Sequence, residues 1–436
     1  MMAILQLLAL VVAAGVALFL VDVLIRRPVA VAWLVLMLVV LEALIDSTEI
    51  SVFISGFRIS PSDVGFALIA GAATFRLIKV ERRTSAQVLL VVLGSVGVAN
   101  LVRGMGGGAI EVPFPGFRTY LAFVSPALYF STVTLDIETR RGIANAWFWA
   151  GAAMAAVVVT RWVGRVSGTD LGIFDATYDA AIRVLSGPQT MFVASGAVVL
   201  LLGGIDTSGS AARRERQMGA VLMVMAIILN RRTAWLALAV ALAILLFRNR
   251  SAGRRMAKVI AASVVILAAS LGFILNSAGE LSSAAQGVTD SGTLSWRVEG
   301  WAELLQTQPQ GPVDYLFGLP FGNGYARTID GVTVTVSPHN FFIQTFLRSG
   351  IIGLGALMAV LWISMKAALS GPPDERGQLS DNHLVILLAM LVVWLLTWTP
   401  GAEQGLILGL AAGIASLSKP SPDDRSLQGA KSGEVE

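Results

Sequence analysis

Long apolar runs recur almost from end to end of the 436-residue chain, interrupted by short polar or basic segments. A helix needs about 20 apolar residues to cross a hydrocarbon core of ~30 Å, and fewer where one end is buried in protein. On that measure the pattern predicts spans at 3–25, 28–45, 64–80, 86–102, 119–135, 142–160, 190–204, 218–229, 233–247, 258–275, 340–365, 383–399 and 402–417. Most connections are short, so the expected fold is one all-α bundle, a polytopic integral membrane protein of about 12–13 transmembrane helices. The expected organisation is N-terminal transmembrane helices over 1–204, a second region over 205–417 that includes a long polar loop at 276–338, and a tail at 418–436. The tail, SKPSPDDRSLQGAKSGEVE, is rich in Ser, Pro and charge, a composition expected to be disordered.

Composition agrees with the pattern: 55% of residues are hydrophobic and 14% charged, a balance that no soluble core requires. The first run lacks a basic leader and a small-residue cleavage site, so it reads as a retained span rather than a signal peptide. With no cysteine there is no disulfide, thiolate nucleophile or thiolate metal site. The net charge of +4 does not call for nucleic acid here, because Lys and Arg mark cytoplasmic loops and anionic lipid contact. Arg26-Arg27, Lys79 with Arg82-Arg83, Arg140-Arg141, Arg213-Arg214 with Arg216, and the basic segment 248–258 all fall at one end of the spans. That end is read as cytoplasmic, which puts 46–62, 103–117, 161–189 and 276–338 outside. The longest outer loop carries Glu280, Asp290, Glu299, Glu303, Asp314 and Asp330. An odd number of spans places the N-terminus outside and the tail inside.

Three ionisable positions stand out on the outer side. In MGAVLMVMAIILNRRTAWLALAVALAILLF only Asn230-Arg231-Arg232 is polar, so two helices of about 12 to 15 residues meet there, each shorter than the hydrocarbon core. Arg231 and Arg232 then lie at or below the headgroup level, where an arginine either snorkels to lipid phosphate or meets an anion. SWRVEGWAELL reads as a short amphipathic helix with Trp296, Val298, Trp301, Leu304 and Leu305 on its apolar side. Its Arg297 either pairs locally with Glu299 or Glu303 or faces a ligand. His339 precedes a helix that starts at Asn340, where a histidine is a capping group or a proton acceptor. Convergence favours chemistry, since the topology brings Arg232, Arg297 and His339 to one membrane surface.

Between Arg297 and His339, YLFGLPFGNGYARTIDGVTVTVSPHN supplies Gly318, Gly322 and Gly324 for tight turns, and its alternating GVTVTVS suits a short strand. This is not a nucleotide-binding loop, because it neither follows a parallel strand nor opens a helix with Gly-Lys-Ser/Thr. Energy for any reaction would come from the substrate.

NRRTAWLALAVALAIL, SWRVEGWAELL, FGLPFGNGYAR and SPHNFFIQTFLRSGIIGLGAL occur in an order and spacing that resembles the O-antigen ligase and O-antigen polymerase superfamily, over about residues 218–365. Arg231 stands where a serine often precedes the family arginine, which leaves Arg232 the better match and Arg231 a substitute or helper. The resemblance implies a C-type membrane glycosyltransferase, with 205–417 as its catalytic region and its active site facing the periplasm or outside of a bacterial inner membrane. It implies an undecaprenyl-pyrophosphate-linked glycan donor and, as acceptor, a lipid A core or a growing glycan. Arg232, Arg297 and His339 would be catalytic, with Arg231, Asn340, Gly322 and Gly324 binding substrate. Inverting, metal-independent transfer without a cofactor is the chemistry expected.

A flippase or transporter for the same lipid-linked glycan is the alternative, although alternating access calls for polar groups on both faces. A purely structural membrane partner is a third reading, against which the long outer loop speaks. His383 is expected at the interface on the basic side. Arg348, about two turns into its helix, is expected against a glutamate or snorkelling to lipid. Of Arg103, Arg118, Arg161, Arg165 and Arg183, one or two are candidates to grip distal phosphate or sugar.

Overall fold

The structure is a computed structural model that describes residues 15–45, 52–54, 57–106, 114–169, 171, 184–206, 209–229, 231–278, 292–329, 331–371 and 379–417. Expectations for residues 1–14, Arg183, Asn230, Glu280, Asp290, Asp330 and the tail lie outside the described residues. The helices are α1 (Gly15–Arg26), α2 (Pro28–Leu44), α3 (Pro61–Lys79), α4 (Ser85–Met105), α5 (Phe114–Phe130), α6 (Ile137–Ser167), α7 (Gly187–Asp206), α8 (Ser210–Ile228), α9 (Arg232–Arg248) and α10 (Arg250–Ala278). They continue as α11 (Gly292–Thr307), α12 (Pro312–Phe317), α13 (Phe341–Ser370), α14 (Asp381–Leu395) and α15 (Ala402–Leu417). Two antiparallel hairpins complete the described elements: β1 (Val52–Ile54) with β2 (Phe57–Ile59), and β3 (Arg327–Ile329) with β4 (Val332–Val334). The fold is an all-α polytopic membrane bundle, and among the described residues each span expected from hydropathy falls on a helix. Among the described residues five helices are long and apolar enough to cross a membrane alone; α14 and α15 are shorter and apolar, and α1 and α2 meet at a bend of 112°.

Helix ends follow local chemistry. Ser60 and Thr84 close capping boxes with Asp63 and Gln87 at the starts of α3 and α4, each satisfying an otherwise orphaned N–H. At the α1–α2 break, which Pro28 enforces, the freed Ile25 carbonyl accepts from Arg76 at 2.5 Å and the Leu24 carbonyl accepts from the Tyr129 hydroxyl. The core is apolar and aromatic, with Trp147, Trp394, Tyr129, Phe123 and Phe192 fully buried, while Phe247, Trp362 and Val265 are exposed as lipid-facing residues would be. α13 packs on α4, α12, α14 and α15, and α15 packs on α5.

Long-range polar contacts join ends that the Lys and Arg pattern groups together. Arg140 donates to the Leu379 carbonyl at 2.7 Å and pairs with Asp381 at 3.5 Å, and Arg248 donates to Asn382 at 2.9 Å, all at the basic end. At the opposite end Arg103 pairs with Asp314 at 3.1 Å, Arg118 with Asp63 at 3.0 Å, and Arg161 donates to the Val184 carbonyl at 2.9 Å.

Two spans differ from expectation. α8 has 19 residues rather than about 12, because its helix already begins at Ser210 within the basic segment. The added turns carry Arg213, Arg214, Glu215 and Arg216, so the apolar part of α8 remains short, and Arg231 and Arg232 follow its end. α13 is not a continuous span from Asn340: Gly350, at φ 59° and ψ −165°, breaks it. The residues after the break, 351–370, suffice to cross on their own.

The break is bridged from both sides. The Leu319 N–H donates to the Leu347 carbonyl at 2.7 Å, and the Asn100 amide donates to the Arg348 carbonyl at 2.8 Å and to the Phe317 carbonyl. A Cβ on Gly350 would come within 2.3 Å of Leu316 backbone atoms, so α12 rests directly on the kink. Asn100→Leu therefore leaves the buried Arg348 carbonyl and the part-buried Phe317 carbonyl without their donor, a loss of about 1–3 kcal/mol for the buried one. Thermal unfolding of the detergent-solubilised protein should fall by several degrees, and an unchanged transition would show that the kink does not depend on this amide.

Candidate active site

The segment that leads into α13 carries the site. Asn340 is the N-cap: its side-chain oxygen accepts from the Phe342 N–H at 3.0 Å and the Ile343 N–H at 3.2 Å. Immediately before it, His339 takes φ 50°, a left-handed conformation uncommon outside glycine. Its ring stacks on Trp398 at 4.5 Å and 30°. Trp398 belongs to the connection between α14 and α15, and Thr399 beside it donates to Gln344 of α13 at 3.0 Å. The imidazole is thus held by packing on one face, and Trp301 of α11 donates to the Pro338 carbonyl at 2.6 Å from another element.

Around this histidine the structure collects cations. Arg297 of α11 is half-buried, and its guanidinium lies close enough to Arg232, the first residue of α9, for the like charge to act on it. Withdrawal from water and, next, the Arg232 charge hold Arg297 below its usual range. Arg297 does not pair with Glu299 or Glu303, as one reading of its helix suggested; the Glu303 carboxylate instead accepts from the Thr328 N–H at 2.8 and 3.0 Å. Arg327, which sequence reasoning did not single out, is 3% exposed. It donates to the carbonyls of Tyr325 at 3.0 Å and Val336 at 2.8 Å and lies over the Trp296 ring at 5.3 Å. The Nε–H groups of Arg297 and Arg327 are buried with no hydrogen-bond partner among the described residues.

Burial, and then the charges of Arg297 and Arg327, push His339 down to about 4. The ring is therefore neutral at pH 7 and keeps a lone pair free to accept a proton. The unmet buried N–H groups of Arg297 and Arg327, with Arg232 acting on Arg297, are donors an anion could meet.

The other residues expected at the site divide in two. Arg231 donates to the Leu185 carbonyl at 3.0 Å, tying the start of α9 to the segment before α7. Gly322, at φ 102°, needs the freedom of glycine, whereas a Cβ at Gly324 would meet only the Ala326 nitrogen at 3.8 Å. The turn they form is clamped by Arg348, which is 4% exposed and neither meets a glutamate nor snorkels. Arg348 donates to the Pro320 carbonyl at 2.9 Å, to the Tyr325 hydroxyl at 3.1 Å and to the Asn323 carbonyl, and its guanidinium lies over the Tyr325 ring at 4.5 Å. His383 begins α14 at the basic end as expected, but is buried, with its Nδ1 2.8 Å from the Ser380 hydroxyl.

Residues 218–358 match the family described as O-antigen ligase. This stretch, about a third of the chain, is similar to the O-antigen ligase and polymerase superfamily. With the all-α membrane bundle around it, this match supports a multi-pass membrane protein with a ligase- or polymerase-type function in polysaccharide biosynthesis. No curated protein and no solved structure matches the chain. The matched region contains Arg232, Arg297, Arg327 and His339, while Trp398 and Asn100, which steady the histidine and the kink, come from outside it.

Histidine-labelled protein gives a direct check on the electrostatics. The NMR signal that disappears in His339→Asn should titrate near pH 4 in the substrate-free protein, and added pyrophosphate should move it upward by neutralising the arginines. Since burial and cations lower its folded pKa below the unfolded value, this group stabilises the fold above about pH 6.5 and loses that contribution as pH falls toward 4. A signal that titrates at the ordinary value of ~6.5 without ligand would remove the cation cluster from the account.

Proposed function

We propose that the enzyme moves a glycan from undecaprenyl pyrophosphate to a sugar hydroxyl at the outer face of the inner membrane, with Arg232 and Arg297 holding the pyrophosphate and His339 serving the acceptor. The observation that carries this reading is the half-buried cation cluster facing a neutral histidine. In the reaction the acceptor oxygen forms a bond to the anomeric carbon as the bond from that carbon to the phosphate oxygen breaks. The electron pair leaves with the pyrophosphate, and the acceptor proton passes to a ring nitrogen of His339. Planar guanidinium forks match phosphate oxygens and stabilise the growing negative charge, and Arg327 adds a third positive charge that acts on His339. Displacement from the opposite side inverts the anomeric centre, and no metal is needed where three arginines already balance the leaving group.

The electrostatics make the order of events physical. A base held near pH 4 is weak, and the charge of a bound pyrophosphate relieves the cations that weaken it, so the donor strengthens the proton acceptor that its own transfer requires. Lipopolysaccharide ligation and polysaccharide chain polymerisation both use this chemistry. A lipid A core acceptor and a growing glycan acceptor differ only in which hydroxyl reaches His339. Reconstitution with a defined lipid-linked repeat and either acceptor separates them by product length and anchor.

Arg232→Lys keeps the charge but loses the bidentate fork, so turnover should drop at least tenfold with membrane insertion unchanged. Wild-type activity in Arg232→Lys combined with inactivity in Arg231→Lys would transfer the role to Arg231. His339→Asn keeps a hydrogen-bonding group but accepts no proton, and transfer should fall about 10²- to 10⁴-fold while donor binding persists. Full activity in His339→Asn would return the histidine to a structural role. Orientation is tested separately: a cysteine at Thr333 should react with an impermeant thiol reagent in intact cells and one at Ser251 should not, and the reverse pattern would place the cluster in the cytoplasm.

A further inference from the structure

A cavity of about 330 Å³ opens at the same end of the bundle, between the end of α4, the α11–α12 turn and the glycine-rich loop. Its polar lining is Arg103, Thr307, Gln308, Gln310, Asp314 and Asn323, over an apolar floor of Leu319 and Pro320. The volume is at the small end of the range for small-molecule sites, about 300–1,000 Å³. We propose that this cavity is a subsite for a neutral sugar residue of the glycan, separate from the arginine cluster that takes the pyrophosphate.

Charge argues for a neutral ligand. One Arg103 nitrogen donates to Asn100 at 2.6 Å and to the Gly318 carbonyl at 2.7 Å, and the other pairs with Asp314 at 3.1 Å. The second Asp314 oxygen accepts from the Gln310 N–H at 3.3 Å. The cation and the carboxylate therefore cancel one another and are spent on structure, unlike Arg297 and Arg327 with their unmet N–H groups. What remains for a ligand is the set of side-chain amides, each offering both a donor and an acceptor, which suits hydroxyls. Among the described residues, the side chains of Gln310 and Asn323 make no hydrogen bond and so are free to make them with a ligand. Leu319 and Pro320 supply a surface for the C–H face of a sugar ring.

Position argues for the glycan. Asn323 lies in the loop that Arg348 clamps, and four residues further on is Arg327, whose charge acts on His339. Four residues span at most about 14 Å, so the cavity lies within that reach of the arginine whose charge acts on His339. A chain with one end at His339 has its neighbouring units within reach of the cavity. That the sugar belongs to the transferred or accepting glycan rests on the function proposed above; binding of a sugar does not.

The full-length protein in nanodiscs is examined by saturation-transfer NMR with the methyl glycosides of glucose, galactose, mannose, rhamnose and N-acetylglucosamine, and by phosphorus line broadening with inorganic pyrophosphate. At least one glycoside should bind, with affinity reduced about tenfold or more when Gln310→Ala and Asn323→Ala are combined, the expected loss for two hydrogen bonds. Gln310→Trp, which fills the cavity, should abolish that binding, and Arg232→Ala should leave it intact. Pyrophosphate binding should show the opposite pattern. No bound glycoside, or a bound glycoside indifferent to both cavity variants, overturns the subsite. Pyrophosphate binding that survives Arg232→Ala with Arg297→Ala instead overturns the reading of the arginines and leaves the subsite standing.

Discussion

The working end of this protein depends on a helix that is broken and then repaired. Gly350 interrupts α13 and frees carbonyls that a membrane cannot solvate, so they must find donors within the protein. Asn100 of α4 and the Leu319 N–H supply them, and in doing so draw α12 and the loop after it against the kink. Arg348, two residues before the break, then gathers the carbonyls of Pro320 and Asn323 and the Tyr325 hydroxyl around one guanidinium. Because Tyr325 in turn accepts from Arg327, a backbone repair deep in the bundle sets where a charge stands beside His339.

That placement explains why the cluster tolerates its own repulsion. Like charges brought together out of water are unfavourable, and here one arginine acts on another while two act on a histidine. Arg327 is held by two carbonyls and an indole ring, and Glu303 is its nearest compensation. Arg297 has no comparable support among the described residues, which is what the proposed anionic ligand would supply. A pyrophosphate ester has that charge and the oxygen geometry that guanidinium forks fit. The low basicity of the histidine follows from the same field.

Much of this was legible in the sequence because hydropathy is periodic and local. The spans, the amphipathic α11 and the strand at Val332–Val334 follow from residues that are neighbours in the chain. His339, Arg297 and Arg232 were reachable because topology alone sorts them to one end. The break at Gly350 was not, since a glycine within an apolar run reads equally well as small-residue packing, and only the approach of α12 reveals its backbone angle. Arg327 escaped, and Arg348 was expected against other partners, for a related reason: both hold carbonyls from a loop with no periodic signal. Trp398 lies some sixty residues after His339, in a connection between two short helices, and nothing local announces that the rings stack. α8 extends N-terminally beyond its apolar run, because its first two turns are basic and carry no hydropathy signal.

The central claim is that arginines from α9 and α11 together grip a pyrophosphate beside a neutral histidine. Solid-state NMR dephasing between nitrogen-15 in labelled arginine side chains and phosphorus-31 in undecaprenyl pyrophosphate, in liposomes, measures that grip without requiring turnover. The account predicts strong dephasing in the wild-type protein that weakens in Arg232→Ala or Arg297→Ala and vanishes when both are changed. Dephasing that is absent in the wild-type protein, or that survives the double change, would contradict it.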